Sequence, residues 1–270
     1  MFHEFEILWT IVSSELHRLP EAPYFTECSL VLVGLWAGIQ NALAGGGSFI
    51  TLPALMATGL SPIEANITST VALFPGQMVS GGMGIRSMAA HPKPLLIGLI
   101  LISLVGGALG GLLLIGTPAR IFSLLLPWLV LFATAMFAWG SFRKKKAETH
   151  AHQKPLTLLA SQGLIAIYGG YFGGGIGFLM LAALTMAGLS TRSAGHLKNV
   201  FAAVMNLSAV AVFSTSPALN WPSALMLGGG ALLGFASGSH LLHFINERWL
   251  RVFVIVLGLS LTAGLLLKQP

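Results

Sequence analysis

The chain has 270 residues, of which 55% are hydrophobic and 8% charged, and its mean hydropathy is +0.83. That balance excludes a water-soluble globular domain and indicates a polytopic membrane protein. The net charge of +6 and pI near 9.8 come from basic residues scattered through short loops with no aromatic-interleaved stripe, so they read as membrane anchoring and not as a nucleic-acid surface.

Residues 1–27 carry Phe5, Leu8, Trp9 and Val12 at helical spacing with acidic residues between them. This suits an amphipathic helix lying on the membrane, or equally a packing element at the chain end. With no basic n-region, the stretch does not read as a cleavable signal peptide. The single cysteine, Cys28, permits no intrachain disulfide and matches no metal-ligand spacing.

From residue 28 onward, apolar stretches recur, each close to the roughly 20 residues that a helix needs to cross the hydrocarbon core. They contain glycine and lack strand-like alternation, so helices are expected and not a barrel. A first unit, 28–141, divides into segments 28–44, 46–59, 63–84, 94–115 and 120–141. A basic linker, 142–155, runs from Arg143 through His150 and His152 to Lys154 and reads as a solvated cytoplasmic connection more readily than as a metal site. The second unit, 156–268, divides into 156–172, 174–188, 193–213, 222–242 and 247–267.

The two units repeat one pattern. At an offset of 129, Gly45 aligns with Gly174, Gly46 with Gly175 and Phe49 with Phe178, and the run Gly59, Leu60, Ser61 aligns with Gly188, Leu189, Ser190. From Gly45 to Ser80 there are 11 identities in 36 aligned positions, several of them glycines with a backbone role. Further on the offset is 128, pairing Pro94 with Pro222, Gly106 with Gly234 and Gly110 with Gly238. The last two pairs stand at i, i+4 spacing, which lets helix backbones approach closely.

With five segments per unit, 11 of the 14 Lys and Arg residues fall on one face, which is therefore cytoplasmic. Both termini are then outside and the 142–155 linker inside. Two odd-numbered units in series must be oppositely oriented, which makes the repeat inverted, an arrangement used for alternating access.

The chemistry concentrates at the repeat cores. Gly45, Gly46, Gly174 and Gly175 precede the two shortest segments. A helix starting after such a turn aims free N–H groups and its positive dipole end at an anion, although glycines here also serve close packing. Ser61 and Glu64 form a capping box around Pro62, so a helix starts there, and Ser190 repeats the position. Two turns on, Thr68, Ser69 and Thr70 face Leu197, Lys198 and Asn199 across the alignment, an anion-binding set of hydroxyls, ammonium and amide. Lys198 lies inside an apolar segment and must find water, an acceptor or an anionic ligand, or snorkel to the interface. Gln77 aligns with Asn206, and either amide could serve a substrate oxygen or a neighbouring helix. Asn41 and Asn66 are weaker candidates. His196 and Glu64 are candidates for proton exchange, and His240 reads as structural.

These residues resemble the sulfite exporter TauE/SafE permeases. The likeness rests on the stretch from Gly34 through AGGGSFITLPAL, the TST at 68–70, YFGGGIGFLML and the LKN at 197–199, and it covers about residues 28 to 268. It implies export of small anions such as sulfite or organosulfonates, driven by an ion gradient, and carries Thr68, Ser69, Lys198 and Asn199 over as site positions. The GGMGIRS turn departs from the family in offering Arg86 and no histidine before His91, which puts coupling and substrate detail in question.

The sequence therefore predicts an all-α integral membrane protein of two inverted five-segment repeats, ten membrane segments in all, in a bacterial-type inner membrane. Its expected function is secondary export of a small sulfur-containing anion, with a proton or sodium as coupling ion and no cofactor or bound metal. Whether it forms a homodimer is left open. The alternatives are a permease for another small anion, or a non-transporting scaffold or assembly factor. A divalent-metal permease lacks the necessary carboxylates. An enzyme is disfavoured by the absence of HExxH, GxSxG and paired intramembrane carboxylates.

Overall fold

The computed structural model describes residues 25–43, 46–85, 88, 92–142, 155–241 and 247–267. Gly45, Arg86, His91, residues 1–24 of the N-terminal stretch and residues 143–154 of the linker lie outside them. Among the described residues there are ten α-helices and no strand: α1 Phe25–Leu43, α2 Ser48–Ala57, α3 Pro62–Gly84, α4 Lys93–Gly116, α5 Ala119–Phe142, α6 Pro155–Tyr171, α7 Ile176–Met186, α8 Thr191–Phe213, α9 Trp221–Leu241 and α10 Glu247–Leu267. Each coincides with one of the ten expected segments.

Three of the helices are long and apolar enough to cross a membrane by themselves, over Lys93–Gly116, Ala119–Ser141 and Ser193–Phe213. The short α2 and α7, with 10 and 11 residues, rise only about 15–17 Å at 1.5 Å per residue. That is roughly half the hydrocarbon thickness of ~30 Å. The outward surface is apolar, with Leu32, Leu101, Leu113, Trp128, Leu164, Leu225 and Leu233 all exposed, as a face turned to lipid requires.

Local chemistry sets the helix starts. Ser61 accepts from the Glu64 N–H at 3.4 Å, while the Glu64 carboxylate accepts from the Ser61 N–H at 2.8 Å, with Pro62 in the first turn of α3. In the second unit Ser190 caps α8 by accepting from the Ser193 N–H at 3.3 Å. Serine stands there in place of the first unit's glutamate.

Lipid offers no hydrophobic drive between helices, so close backbone approach replaces it. α4 lies against α6 with Gly106 on Ala166 and Gly110 on the Ile167 carbonyl; α1 lies against α9 with Gly234 on the Leu35 carbonyl and Gly38 on the Ala231 carbonyl. In both pairs residue numbers rise together, so the helices run parallel. The pairing is reciprocal. The first helix of each unit packs on the fourth helix of the other.

α3 and α8 occupy equivalent places in the two units and cross at the centre. Gln77 meets Asn206, Gly81 meets Ala203, and Gly84 meets the His196 carbonyl. Numbers rise on one helix as they fall on the other, so α3 and α8 run antiparallel. α5 and α10 also pair antiparallel, with Gly258 at Thr134 and the Arg251 guanidinium donating to the Ser141 carbonyl. One buried cluster gathers Leu55, Ile67, Leu126, Phe137 and Phe213; a second gathers Leu99, Met180, Leu184, Phe201 and Met205.

Candidate functional site

Two glycine turns frame the centre of the molecule. Gly46 has φ +85° and Gly175, its aligned equivalent, φ +73°, a left-handed backbone that a side chain rarely adopts. Immediately after them start the short helices α2 and α7. The first backbone bonds at these turns are from the Phe49 N–H to the Gly46 carbonyl at 3.0 Å and from the Phe178 N–H to the Gly175 carbonyl at 3.1 Å. The N–H groups of Ser48, Ile176 and Gly177 precede that ladder and have no acceptor among the described residues.

These helix starts open onto a cavity of about 140 Å³ between α3 and α8. Its wall is built largely from equivalent positions of the two units. Gly46 and Gly175, Ser48 and Gly177, Ser69 and Lys198, Thr70 and Asn199, Leu73 and Ala202, and Gln77 and Asn206 all line it, and each pair is related by the offset of 129. On α3, Ser69, Leu73 and Gln77 follow at i, i+4 and i+8, as do Lys198, Ala202 and Asn206 on α8, so each helix presents one stripe. Phe137, Phe172, Phe178 and Phe235 form the apolar part of the wall. Phe137 meets Phe178 edge-on at 4.9 Å and its equivalent Phe49 at 6.1 Å.

Among the described residues Lys198 is the one charged side chain lining the cavity. Its ammonium has no hydrogen-bond or ion-pair partner among the described residues, and the side-chain amide of Asn199 has none either. Asn206 is buried; its Nδ2 donates to Gln77 Oε1, leaving its own Oδ1 without a partner. Two of the wall's hydroxyl protons are committed elsewhere. Thr70 donates to the Asn66 carbonyl at 2.9 Å and Ser80 to the Gly76 carbonyl at 3.3 Å. Thr51 Oγ1 lies 3.3 Å from the Gly47 carbonyl and shares a hydrogen bond with the Ser69 hydroxyl, in which either oxygen can donate.

Of the residues expected at the site, Ser69, Thr70, Gln77, Lys198, Asn199, Asn206, Gly46 and Gly175 line the cavity, and so does Asn41. Thr68 does not: it is fully buried and its Oγ1 accepts from the Asn220 N–H at 3.2 Å, tying α3 to the start of α9. Gly174 packs behind the wall against Phe172 and Ala133. Asn66 is also spent on structure, donating to the Tyr171 carbonyl at 3.1 Å. His196 and Glu64 are not at the cavity; Glu64 is engaged in the α3 cap. Gly45 lies outside the described residues, as does the side chain of His240. The sequence did not single out Phe137 and Phe235. They come from α5 and α9, and no motif marks them, whereas Phe178 was visible as the aligned partner of Phe49.

The wall carries groups that can bind an anion. Among the described residues it offers an ammonium, primary amides and free N–H groups at two helix starts, with no carboxylate. No cluster of metal-ligating side chains occurs among the described residues. At about 140 Å³ the cavity falls below the ~300–1,000 Å³ of pockets for drug-sized ligands, so it suits a small polyatomic ion.

An all-helical bundle with an apolar outer surface and helices long enough to span a bilayer is that of an integral membrane protein. The chain belongs to the sulfite exporter TauE/SafE family, whose model matches residues 30–265. It is similar to a probable membrane transporter protein of Haemophilus influenzae, with 29% identity covering 89% of this chain and 94% of the relative. It is also similar to the probable membrane transporter protein YfcA of Escherichia coli K12, with 26% identity covering 88% of each chain, and to the probable membrane transporter protein ORF9 of a Sinorhizobium species, with 28% identity covering 88% and 91%. No solved structure matches the chain.

Proposed function

We propose that the protein is a secondary transporter that exports a small sulfur-containing anion, sulfite or an organosulfonate, across a bacterial-type inner membrane by alternating access. The carrying observation is the central cavity, whose one charged side chain among the described residues is the unpaired Lys198 and whose wall includes six pairs of equivalent positions. In this reading Lys198 binds the anion's charge, while Asn199, Gln77 and the free N–H groups of Ser48, Ile176 and Gly177 hold its oxygens.

The units act as an inverted repeat. The antiparallel crossing of the equivalent helices α3 and α8 supports this, as does the reciprocal packing of α1 on α9 and α6 on α4. Each short helix, α2 or α7, contributes half a span whose start faces the site, giving ten membrane segments with both termini outside and residues 142–155 cytoplasmic. Rocking of one unit against the other exposes the cavity to each side in turn. A proton or sodium gradient supplies the drive.

The test is flux in proteoliposomes loaded with sulfite, thiosulfate, sulfate or a short sulfonate, compared with protein-free vesicles. Saturable efflux of one or more of these anions supports the reading. A purified, folded protein that moves none of them overturns it and leaves a permease for another small anion or a membrane scaffold.

A further inference from the structure

The two glycine turns are equivalent in backbone, but the units complete them differently. In the first unit the protein's own side chains do so. Asn41 Oδ1 accepts from the Gly47 N–H at 3.4 Å, and the Thr51 hydroxyl on α2 shares a hydrogen bond with the Ser69 hydroxyl on α3. One offset of 129 later, the places of Asn41, Gly47, Thr51 and Ser69 are held by Gly170, Ile176, Met180 and Lys198. The acceptor at the turn is gone, and so is the hydroxyl that tied the short helix to its neighbour. Among the described residues, the Ile176 and Gly177 N–H groups and the Lys198 ammonium are left without a protein partner.

These unpartnered donors converge. A Cβ placed on Gly177, the second residue of α7, would stand 3.5 Å from Lys198 Nζ. The start of a helix carries partial positive charge and disfavours a cation, which belongs at the opposite end. An ammonium beside the first turn of α7 is therefore set against a like charge unless an acceptor lies with it. In the first unit that acceptor is the Asn41 oxygen; in the second no side chain supplies one, and an oxygen of a bound anion fits the same role. Lys198 and Gly177 both keep accessible surface and both line the cavity, so a ligand there reaches them.

The glycine at 177 is not required by the fold. It is not among the positive-φ glycines, and a Cβ there would meet nothing within 4 Å except the Lys198 ammonium, at ordinary contact distance. Its equivalent in the first unit is Ser48, which carries a side chain at the start of α2. Glycine within a helix is less favourable than alanine, and neither backbone conformation nor packing accounts for it here. What the missing side chain leaves is space between an ammonium and two N–H groups.

We propose, resting on the anion-transport reading above, that the anion's charged oxygens are seated in this corner of the second unit and that Gly177 is the residue that admits them, the gap left by its absent side chain being filled by a ligand oxygen bound to Lys198 and the first N–H groups of α7.

Calorimetric titration of purified wild type, Gly177→Ala and Gly264→Ala with sulfite and with methanesulfonate, beside melting curves of each protein free of anion, tests this. Gly264 of α10 meets nothing within 4 Å and does not line the cavity, so it controls for adding a methyl group to a helical glycine. Gly177→Ala is expected to bind whichever anion the wild type binds about tenfold or more weakly, as the loss of one charged hydrogen bond would give. Its anion-free melting midpoint should stay at or above that of wild type, and Gly264→Ala should keep wild-type affinity. Wild-type affinity in Gly177→Ala, weaker binding accompanied by a lowered anion-free midpoint, or an equal loss of affinity in Gly264→Ala would overturn the role of Gly177 and leave the anion site standing. Absence of binding of both anions by the wild type would overturn the anion-transport reading itself.

Discussion

Asn206 donates its side-chain N–H to Gln77 Oε1, and the two residues are separated by 129 positions, the same offset that aligns the two units. Residues that are each other's equivalents in the alignment and also touch lie where the two units meet. The bond joins α3 to α8 beside the cavity. Breaking it from one side strands a buried amide, whereas removing both amides does not. Asn206→Leu is expected to destabilise by about 1–3 kcal/mol. The double variant Gln77→Leu/Asn206→Leu should lose less than the sum of the singles, with a coupling of roughly 0.5–3 kcal/mol. Denaturation midpoints of the four proteins in one detergent measure the cycle. Additive losses would show that the bond is not maintained in solution.

Lys198 should separate function from stability. Its ammonium has no protein partner among the described residues to strand, so Lys198→Met is expected to leave the thermal midpoint unchanged or slightly raised while removing saturable anion flux. Lys198→Arg, which keeps charge but changes shape and donor geometry, should retain binding with weakened affinity. Flux at the wild-type rate in Lys198→Met would remove this residue from the site.

Adjacent hydroxyls on α3 should behave differently. Thr68→Val deletes the acceptor for the Asn220 N–H and is expected to lower stability by about 1–2 kcal/mol with substrate affinity kept. Ser69→Ala lies on the cavity wall and is expected to change affinity more than stability. Paired melting curves and binding isotherms on the two variants provide the comparison, and the reverse pattern would reassign which hydroxyl faces the ligand.

Glu64 is expected to act through its cap. Glu64→Gln preserves a side-chain acceptor for the Ser61 N–H, so transport and its pH profile should match wild type. Glu64→Ala, with the cap broken, is expected to lower stability by about 0.5–2 kcal/mol. A shifted pH profile in Glu64→Gln would instead make the carboxylate part of proton coupling.

The glycines divide by what surrounds them. Gly110→Ala would drive a methyl group into the Ile167 carbonyl across the α4–α6 contact, an overpacking expected to destabilise by about 1–3 kcal/mol. Gly264→Ala in α10 meets open space and should be neutral or up to about 1 kcal/mol stabilising. Melting temperatures of the two variants, measured side by side, check the contrast.

The sequence by itself determined the ten helices, the internal repeat and most of the polar wall, because each is a local or periodic property. Apolar length defines a helix, Ser61 and Ser190 define starts, and the stripe Ser69, Leu73, Gln77 repeats as Lys198, Ala202, Asn206 one offset later. It did not determine which way neighbouring side chains point. Thr68, Ser69 and Thr70 are consecutive, and on a helix of 3.6 residues per turn each is turned about 100° from the last. Only packing against α8 and α9 decides that Thr68 holds Asn220 while Ser69 and Thr70 face the cavity. The aromatic wall of Phe137 and Phe235, the commitment of Glu64 to a cap, and the bond between Gln77 and Asn206 likewise arise from tertiary structure. They depend on how helices distant in the chain cross, and that geometry is set by glycine contacts whose partners no single stretch of sequence reveals.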